Sequence, residues 1–321
     1  MNVGAALSFL FGSDQSDWSM CTSVTSLQEI GETTQHSRTT VFLLCKPSSS
    51  MSGDKTKVVL LACGSFNPIT NMHLRMFELA RDHLEETGQY RVVKGIISPV
   101  CDGYKKKGLI EACHRLEMAK LAVEDSGWIT VDSWEGMQPE WLETAKVVRH
   151  HYEELLAMEN NDDVDTVKYA KKRRIQDCFE SSSNHKGSDG LQLMLLCGAD
   201  VLESFGIPNL WKPEDIVEIV GSHGMVCITR SGSDPHKFIH ESDVLWKYRK
   251  NIHIVREWVS NDISATHVRR ALRRSRSIRY LLPDSVVCYI GEHRLYSAES
   301  EKKNNDVILA PLQRYTTAST S

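Results

Sequence analysis

The sequence predicts an α/β protein in which a parallel sheet carries helices on both faces. From Lys57 onward, short strand-like runs alternate with helix-periodic segments, which is the pattern of parallel strands joined by crossover helices. The runs 58–63 and 191–197 are largely apolar, as strands buried inside a sheet are. At 321 residues and 41% hydrophobic content, the chain is long enough to bury a large core.

Three strands and three helices make up the first half of this pattern. The strands are apolar runs, and the first stops at Gly64. The helices show apolar residues at three-four spacing, and Gly88 and Gly127 follow the first two as stop signals. In chain order the elements are strand 58–63, a helix over about 74–87, strand 91–97, a helix over about 112–123, strand 128–134 and a helix over about 140–156.

The second half restarts with a strand that ends at Gly198, so a second strand end points at the same edge of the sheet as Gly64. Helical spacing and apolar runs then alternate again, and two C-terminal helices are appended. In chain order the elements are strand 191–197, a helix over 213–220, strand 225–229, a helix over about 235–248, strand 252–255 and the two terminal helices.

Three segments lack this pattern. Two of them flank the domain, which we assign to residues 57–295, and the third is an insertion within it. Residues 1–56 are rich in Ser, Thr and Gln and predict a poorly ordered N-terminal extension. Residues from about 157 to 190 predict a mobile insertion, and residues 296–321 a C-terminal tail. Within the insertion, Lys171–Arg174 has the composition of a nuclear import signal, although such basic runs are also typical of solvated surface.

Composition and charge disfavour several classes of protein. A net charge of -4 gives no overall attraction to nucleic acid or to anionic membranes, and no stretch reaches the roughly 20 apolar residues of a membrane helix. The nine cysteines are odd in number, scattered and without a CxxC pair, so we expect reduced core thiols in a reducing compartment. His150 and His151 have no further Cys or His at a recognised ligand spacing, so no side-chain metal site is expected.

The segment Gly64–His73, GSFNPITNMH, predicts a nucleotide phosphate site. A buried strand that stops at Gly64 delivers the next turn to the carboxyl edge of the sheet, where open α/β folds place ligands. The helix that opens behind this turn offers unpaired amides to an anion, and His73 in its first turn adds an imidazole. The alternative is an ordinary strand–turn–helix connection, in which His73 caps the helix or packs against it.

A second anion site is predicted in the segment DISATHVRRALRR. Ser264 and Thr266 stand at the start of a helix and Arg269 within its first turns, so hydroxyls, amides and a guanidinium fork can hold phosphate oxygens. The alternative is a serine that caps the helix and an arginine on its exposed face.

Six arginines between Arg269 and Arg279 raise the further alternative of RNA binding. No aromatic residues are interleaved for base stacking, and Val268, Leu272 and Ile278 form an apolar register. The sequence therefore favours a docked helix with a basic outer face.

With these two motifs near its ends, the chain resembles the nicotinamide/nicotinic acid mononucleotide adenylyltransferases of the nucleotidylyltransferase superfamily, in particular their vertebrate nuclear type. The resemblance covers residues 57–295 apart from the insertion and extends to the segments GYKKKGL, EWLETAKVVRHH, LLCGADVLESFGIPNLWKPEDI and SIRYLLPDSVVCYI. It implies a Rossmann-like fold that joins ATP to nicotinamide mononucleotide, and also to nicotinate mononucleotide, with NAD or deamido-NAD and pyrophosphate as products. It further implies magnesium held through the ATP phosphates, a homo-oligomer and a nuclear location.

The same resemblance implies roles for individual residues. The catalytic charges would be His73, Lys106 and Arg269. ATP would lie against Ser65, Phe66, His73, Gly198, Asp200, Thr266, His267, Val268 and Arg269. The mononucleotide or NAD would lie against Gly64, Ser65, Phe66, Lys106, Trp141, Thr144, Leu210, Trp211, Glu257 and Asn261. Two positions depart from the family pattern, since Thr70 stands where relatives often carry histidine and His267 stands where lysine is expected.

Such a reaction needs no protein nucleophile, because the attacking phosphate is already anionic at neutral pH. Two alternatives stay open. In one, Lys106 is a solvated charge on a loop, and in the other, Trp141 and Trp211 are core aromatics. A missing GxGxxG motif disfavours a dinucleotide-dependent dehydrogenase, and a missing GxxxxGK[ST] motif disfavours a P-loop kinase. A cytidylyltransferase of the same superfamily and an RNA-binding protein are left as rival functions.

Overall fold

The structure is a computed structural model that describes residues 55–104, 106, 108–162, 191–229, 233–259 and 263–297. Within these residues, strands and helices alternate as the sequence predicts. The strands are β1 Thr56–Gly64, β2 Tyr90–Pro99, β3 Ile129–Val131, β4 Leu191–Gly198, β5 Met225–Thr229 and β6 Ile252–Arg256. The helices are α1 Asn71–Glu86, α2 Ala112–Ala122, α3 Thr144–Asp162, α4 Ala199–Ser204, α5 Pro213–Val217, α6 Pro235–Glu241, α7 Asp243–Lys247, α8 Ala265–Arg273 and α9 Asp284–Glu292.

The six strands form one sheet in the order β3-β2-β1-β4-β5-β6, and every neighbouring pair is parallel. This is the strand order of doubly wound, Rossmann-like folds, in which the direction of winding reverses between two central strands. Here the reversal falls between β1 and β4. A ligand crevice is therefore expected at the carboxyl ends of these two strands, which are Gly64 and Gly198.

Helices cover both faces of the sheet. Alternate residues of β1 point to opposite faces, and each face belongs to its own core. Val58 and Leu60 lie in one core, to which α1, α2, α8 and α9 contribute buried side chains. Val59 and Leu61 lie in the other, which includes residues of α3, α4, α6 and α7. The predicted fold class is confirmed.

Helix α8 packs on the first core as its apolar register predicts. Val268 is fully buried and Ile278 is 5% exposed, whereas Arg270 and Arg273 are exposed on the outer face. Apolar and charged residues of α8 lie on opposite faces at helical spacing, so one face packs on the core and the other faces solvent.

The predicted third strand is too long, and the predicted second strand too short. The backbone N–H of Trp134 donates to Asp132 Oδ1 at 2.8 Å, which turns the chain away from the sheet and into a short helical turn at Glu135–Met137. In contrast, Ser98 and Pro99 belong to β2, because they pair with the last two residues of β1.

Two predicted helices are interrupted in the structure. The helix predicted over 235–248 is divided at Ser242, which has extended backbone and caps α7 by accepting a hydrogen bond from the Leu245 amide at 3.4 Å. The helix predicted over 213–220 consists of α5 and a π-helical turn at Glu218–His223. Helix α4 was not predicted at all, because six residues are too few for a clear apolar period.

The boundaries of the predicted domain also move. Helix α3 begins at Thr144 and continues to Asp162, so the first residues assigned to the insertion are helical. Tyr296, assigned to the tail, is fully buried in the core that contains α9. Residues 1–54 and 163–190, including Lys171–Arg174, lie outside the described residues.

Two expectations from composition can be compared with the described residues. No helix among them is both long enough and apolar enough to cross a bilayer. Cys101, Cys197 and Cys227 are free and buried, as expected of core thiols. Cys113 and Cys288 are exposed, so that expectation is wrong for these two, which lie on the outer surfaces of α2 and α9.

Candidate active site

A cavity of about 700 Å³ opens at the carboxyl ends of β1 and β4, where the winding of the sheet reverses. Its volume lies in the range of small-molecule and cofactor sites. Eight described stretches of chain reach it, namely the end of β1 with the loop after it, the first turns of α1, the loop after β2, the turn after β3, the start of α3, the junction of β4 and α4, the segment leading into α5 and the start of α8. The predicted site residues that line it are Gly64, Ser65, Phe66, His73, Lys106, Trp141, Thr144, Gly198, Asp200, Leu210, Trp211, Thr266 and Arg269.

The cap of α1 fixes the imidazole of His73. Thr70 Oγ1 accepts from the backbone N–H of His73 at 3.4 Å, and His73 Nδ1 accepts from the backbone N–H of Thr70 at 2.9 Å. Because Nδ1 acts as an acceptor, the proton of the neutral ring lies on Nε2. His73 is therefore both a capping residue and a cavity residue whose ring carries an N–H donor.

Phe66 supports this arrangement from the loop after β1. Its backbone has a φ of +41°, a left-handed conformation that costs a bulky residue free energy and that is typical of functional loops. The side chain is 5% exposed, and its ring meets the His73 ring edge-on with centroids 5.2 Å apart.

Arg269 joins the second predicted anion site to the first. Its Nη1 donates to the backbone carbonyl of Asn67 at 2.5 Å, and its Nη2 lies 3.4 Å from Thr266 Oγ1. At the start of the same helix, Ser264 Oγ accepts from the His267 amide at 3.2 Å. The loop after β1 and the N-terminus of α8 therefore meet at one cavity.

Lys106 lies in the loop after β2 and lines the same part of the cavity. Loss of solvent contact lowers the pKa of its ammonium, the nearby Arg269 lowers it further, and Asp200 acts in the opposite direction. The loop is held to the first motif because Asn67 Nδ2 donates to the Gly108 carbonyl at 2.6 Å. Lys106 and Arg269 thus place two positive charges close enough to perturb each other, which suits a polyanionic ligand.

At the end of β4, the Asp200 carboxylate folds back over Gly198. A Cβ at Gly198 would lie 2.5 Å from Asp200 Oδ1, so a larger residue would displace that carboxylate. Asp200 is exposed at the start of α4 and lines the cavity. A carboxylate at this position can accept hydrogen bonds from hydroxyl groups such as those of a ribose.

Aromatic side chains also line the cavity. Trp211 Nε1 donates to Ser204 Oγ at 2.9 Å, and its ring meets Phe205 edge-on at 4.8 Å. Trp141 lies 6.2 Å from Tyr104, ring centre to ring centre. Both tryptophans are half-buried and line the cavity, so each is available to a planar ring as well as to its packing partners.

Gly103 allows Trp141 to sit against the loop after β2. A Cβ at this position would come within 2.8 Å of the Trp141 backbone nitrogen, which cannot move without shifting the wall. In the sequence, Gly103 is a single glycine in the segment DGY. Its role could not be predicted, because the contact with Trp141 is visible only in the structure.

A partly buried ion network at the start of α3 was missed by the sequence analysis. Glu143 lines the cavity and accepts from Lys146 Nζ at 2.7 Å and from Lys212 Nζ at 3.0 Å. Partial burial alone would raise the pKa of Glu143, but the hydrogen bonds from the two lysines outweigh it and hold the pKa at about 2. The segment EWLETAK contains Glu143 and Lys146 three residues apart, which is a recognisable helical pair.

Glu135 is a second carboxyl group that the sequence analysis missed. It lines the cavity, is 4% exposed and accepts a hydrogen bond from Ser98 Oγ at 2.5 Å. Burial raises the pKa of Glu135 to about 7, against the opposing effects of Ser98 and Arg115. Tyr104 and Asp215 also line the cavity without having been predicted as ligands, and Ser264 of the second predicted anion site lines it too.

Three of the predicted ligands do not line the cavity. Val268 is fully buried in the core below α8, because it belongs to the apolar register of that helix. His267 is exposed next to it, and its amide is used by the Ser264 cap. Glu257 forms an ion pair with Arg75 at 3.1 Å. Asn261, another predicted ligand, lies outside the described residues.

Comparison with known proteins gives the family. A family model described as cytidylyltransferase-like matches residues 61–271. The chain is 58% identical over 276 residues to nicotinamide/nicotinic acid mononucleotide adenylyltransferase 1 of Bos taurus. That alignment covers 83% of this chain and 98% of the relative. The chain is 35% identical over 297 residues to nicotinamide/nicotinic acid mononucleotide adenylyltransferase 2 of Mus musculus, which covers 75% and 97%. It is 44% identical over 245 residues to nicotinamide-nucleotide adenylyltransferase of Drosophila melanogaster, and there the chain spans 62% of the relative.

The sheet order, the cavity at its switch point and the family model together define a nucleotidyltransferase of the nucleotidylyltransferase superfamily. Two of these relatives are matched over nearly their whole length, at 58% and 35% identity. The chain belongs to the nicotinamide/nicotinic acid mononucleotide adenylyltransferase family. The resemblance drawn from the sequence motifs is therefore confirmed.

Proposed function

We propose that this enzyme transfers the adenylyl group of ATP to nicotinamide mononucleotide and to nicotinate mononucleotide, forming NAD or deamido-NAD and pyrophosphate. The observation that carries the proposal is the convergence of phosphate-binding groups and aromatic rings on one cavity. His73, Lys106 and Arg269 reach it from three segments distant in sequence, and Trp141 and Trp211 line the same cavity.

The bond changes need no covalent step on the protein. An oxygen of the mononucleotide phosphate forms a bond to the α-phosphorus of ATP. The bond from that phosphorus to the bridging oxygen breaks, and pyrophosphate leaves with the electron pair. The task of the protein is therefore to hold the two phosphates in line and to offset the charge that develops on the leaving group.

Each charged residue contributes a donor to this task. His73 offers a fixed N–H from a ring held by Thr70, which stabilises negative charge even when the imidazole is neutral. Arg269 offers a guanidinium braced on the loop after β1, and Lys106 adds a mobile charge from the loop after β2. Gly198 and Asp200 would hold the ribose of ATP at the end of β4.

Magnesium would be held by ATP rather than by the protein. The phosphate-binding groups of the cavity are cationic or neutral donors, which attract phosphate oxygens and do not ligate a cation. Among the described residues, no trio of carboxylate, His or Cys ligands faces this cavity. Bound to the phosphates, the ion supplies charge neutralisation of the pyrophosphate group.

The test is an assay of the purified full chain with magnesium, ATP and either mononucleotide. We expect dinucleotide and pyrophosphate in equal amounts with both mononucleotides, and no turnover when CTP replaces ATP. Turnover with CTP in place of ATP would assign the chain to the cytidylyltransferase branch, and the absence of dinucleotide would contradict the proposal outright.

We also propose that the enzyme is a homo-oligomer and acts in the nucleus. Trp258 is 85% exposed and Val259 69% exposed, and exposed apolar side chains of this kind can pack in a contact between subunits. Light scattering on the purified chain should give a multiple of its 36.3 kDa mass. A fluorescent fusion should be nuclear and should become diffuse when Lys171–Arg174 are changed to alanine, and an unchanged distribution would contradict the import signal.

A further inference from the structure

A second cluster of metal-ligating side chains lies away from the nucleotide cavity, between the loop after β3 and helix α3. One nitrogen of His151 and one carboxylate oxygen each of Asp132 and Glu154 lie within 4.8 Å of one another. His150 borders the cluster, with its Nε2 3.5 Å from Glu154 Oε1. None of these four side chains lines the nucleotide cavity.

The fold holds the members of this cluster in place before any ion binds. His151 and Glu154 are three residues apart on α3, so they share one face of the helix. Asp132 is oriented by the hydrogen bond that its Oδ1 accepts from the Trp134 amide at 2.8 Å. The Trp134 ring stacks on His150 with centroids 3.6 Å apart, which fixes that imidazole as well.

The second observation is an unsatisfied buried imidazole. His151 is only 2% exposed, and its Nε2 has no hydrogen-bond partner among the described residues. The oxygen of Asp132 that faces this nitrogen is 3.9 Å away, which is too long for a hydrogen bond. A buried polar atom without a partner is costly, and a ligand that binds it removes that cost.

We propose that Asp132, His151 and Glu154 bind a divalent transition-metal cation, for which zinc is the best match. Zinc takes imidazole nitrogen and carboxylate oxygen at about 2.0–2.2 Å, which sets neighbouring donors about 3.3 Å apart. The 3.9 Å between His151 Nε2 and Asp132 Oδ1 therefore needs to close by about 0.6 Å, and the three donors, which lie within 4.8 Å of one another, by at most about 1.5 Å. Magnesium and calcium prefer sites made of oxygen alone and fit this mixed donor set less well.

The sequence expectation of no side-chain metal site rested on the spacing of His and Cys residues. The fold adds Asp132 from a different element, which spacing along the chain does not reveal. A bound ion would tie the loop after β3 to α3, and both of these elements also contribute residues to the nucleotide cavity, Glu135 and Thr144.

The experiment uses the full chain, stripped of metal and free of nucleotide, titrated with Co²⁺ and then with Zn²⁺. We expect one equivalent of Co²⁺ to give visible d–d bands without a thiolate charge-transfer band, and Zn²⁺ to displace it and raise the Tm. Asp132→Asn and Glu154→Gln should each weaken binding by about tenfold or more. The Asn variant keeps an oxygen acceptor for the Trp134 amide, and both positions are partly exposed, so the variants should fold as judged by an unchanged metal-free Tm.

His223→Asn is the matched control, because His223 is likewise buried and lies 3.9 Å from a single carboxylate, that of Glu218. It should leave Co²⁺ and Zn²⁺ binding unchanged. The proposal is overturned by an absence of saturable binding in the micromolar range, by thiolate bands in the cobalt spectrum, or by equal affinity in the wild type and both carboxylate variants.

Discussion

The guanidinium of Arg269 donates a hydrogen bond of 2.5 Å to the backbone carbonyl of Asn67, 202 residues earlier in the chain. The Asn67 side chain in turn donates to the Gly108 carbonyl and accepts from the Tyr296 hydroxyl at 2.8 Å. One buried residue of the first motif therefore braces the loop after β2 and the start of α8. Asn67 thus contacts both the segment that carries Lys106 and the helix that carries Arg269.

Arg269→Ala should raise the KM for ATP and lower kcat by about 100-fold, because it removes a charged donor from the developing pyrophosphate. Arg269→Lys should recover part of the loss, since it keeps the charge without the fork. Steady-state kinetics with ATP varied would measure this. The control is Arg270→Ala, an exposed neighbour on the same helix, which should stay within about twofold of the wild type. Equal losses at both positions would remove Arg269 from the site.

His73→Ala should lower kcat/KM by about 100-fold or more while the protein remains folded. It also removes half of the capping box, so the free energy of unfolding should fall by about 1 kcal/mol. Turnover and urea unfolding on the same preparation separate the two effects. His267→Ala, an exposed histidine at the start of α8 that does not line the cavity, is the control and should change neither quantity appreciably. Wild-type turnover in His73→Ala would refute the role given to its N–H.

Tyr296→Phe should lower the free energy of unfolding by about 1–2 kcal/mol, because it leaves the buried Oδ1 of Asn67 without its donor. The KM for ATP should rise as well if Asn67 positions Arg269. Urea denaturation and ATP kinetics measure the two effects. Tyr280→Phe removes a hydroxyl from a residue that is 80% exposed and should leave stability unchanged. A stable Tyr296→Phe protein with normal kinetics would show that the Asn67 contact does not position the site.

Glu135 should make stability depend on pH. Burial raises its pKa in the folded protein from 4.5 to about 7, so the folded state holds the proton over a range in which the unfolded chain has lost it. The stability that the protonated form contributes is complete below about pH 4.5 and is lost as the pH rises through about 7.

Glu135→Gln removes this dependence and keeps an oxygen that can accept from Ser98. Between about pH 4 and pH 8, the wild type should lose about 3 kcal/mol of unfolding free energy relative to the Gln variant. Denaturant unfolding of both proteins at each pH measures the difference. Parallel pH profiles would mean that the carboxyl group is not buried as described.

Local signals in the sequence predict much of the fold. Strand β5 is Met225–Thr229 in both the prediction and the structure, because an apolar run between turn residues is a complete local signal. Helix α1 ends at Thr87 and Gly88 for a similar reason. The break at Ser242 was missed because a serine that caps a second helix looks the same in sequence as one on a helix surface.

The residues of the site also fall into those that local signals predict and those that depend on contacts in the fold. Val268 shows the limit of motif transfer, since the apolar register of α8 already predicted that it faces the core while the resemblance assigned it to ATP. Glu135 and the cluster of Asp132, His151 and Glu154 depend on contacts between elements distant in sequence. No spacing rule along one segment could have shown them.

The most direct test of the central claim is to follow the α-phosphate of ATP. With ATP labelled at that phosphate, magnesium and nicotinamide mononucleotide, the label should appear in NAD and the released pyrophosphate should carry none. Both His73→Ala and Arg269→Ala should slow this transfer by the same mechanism and to a similar degree. Label recovered as free AMP, or transfer at the wild-type rate in both variants, would contradict the account of one phosphate cradle built from two distant segments.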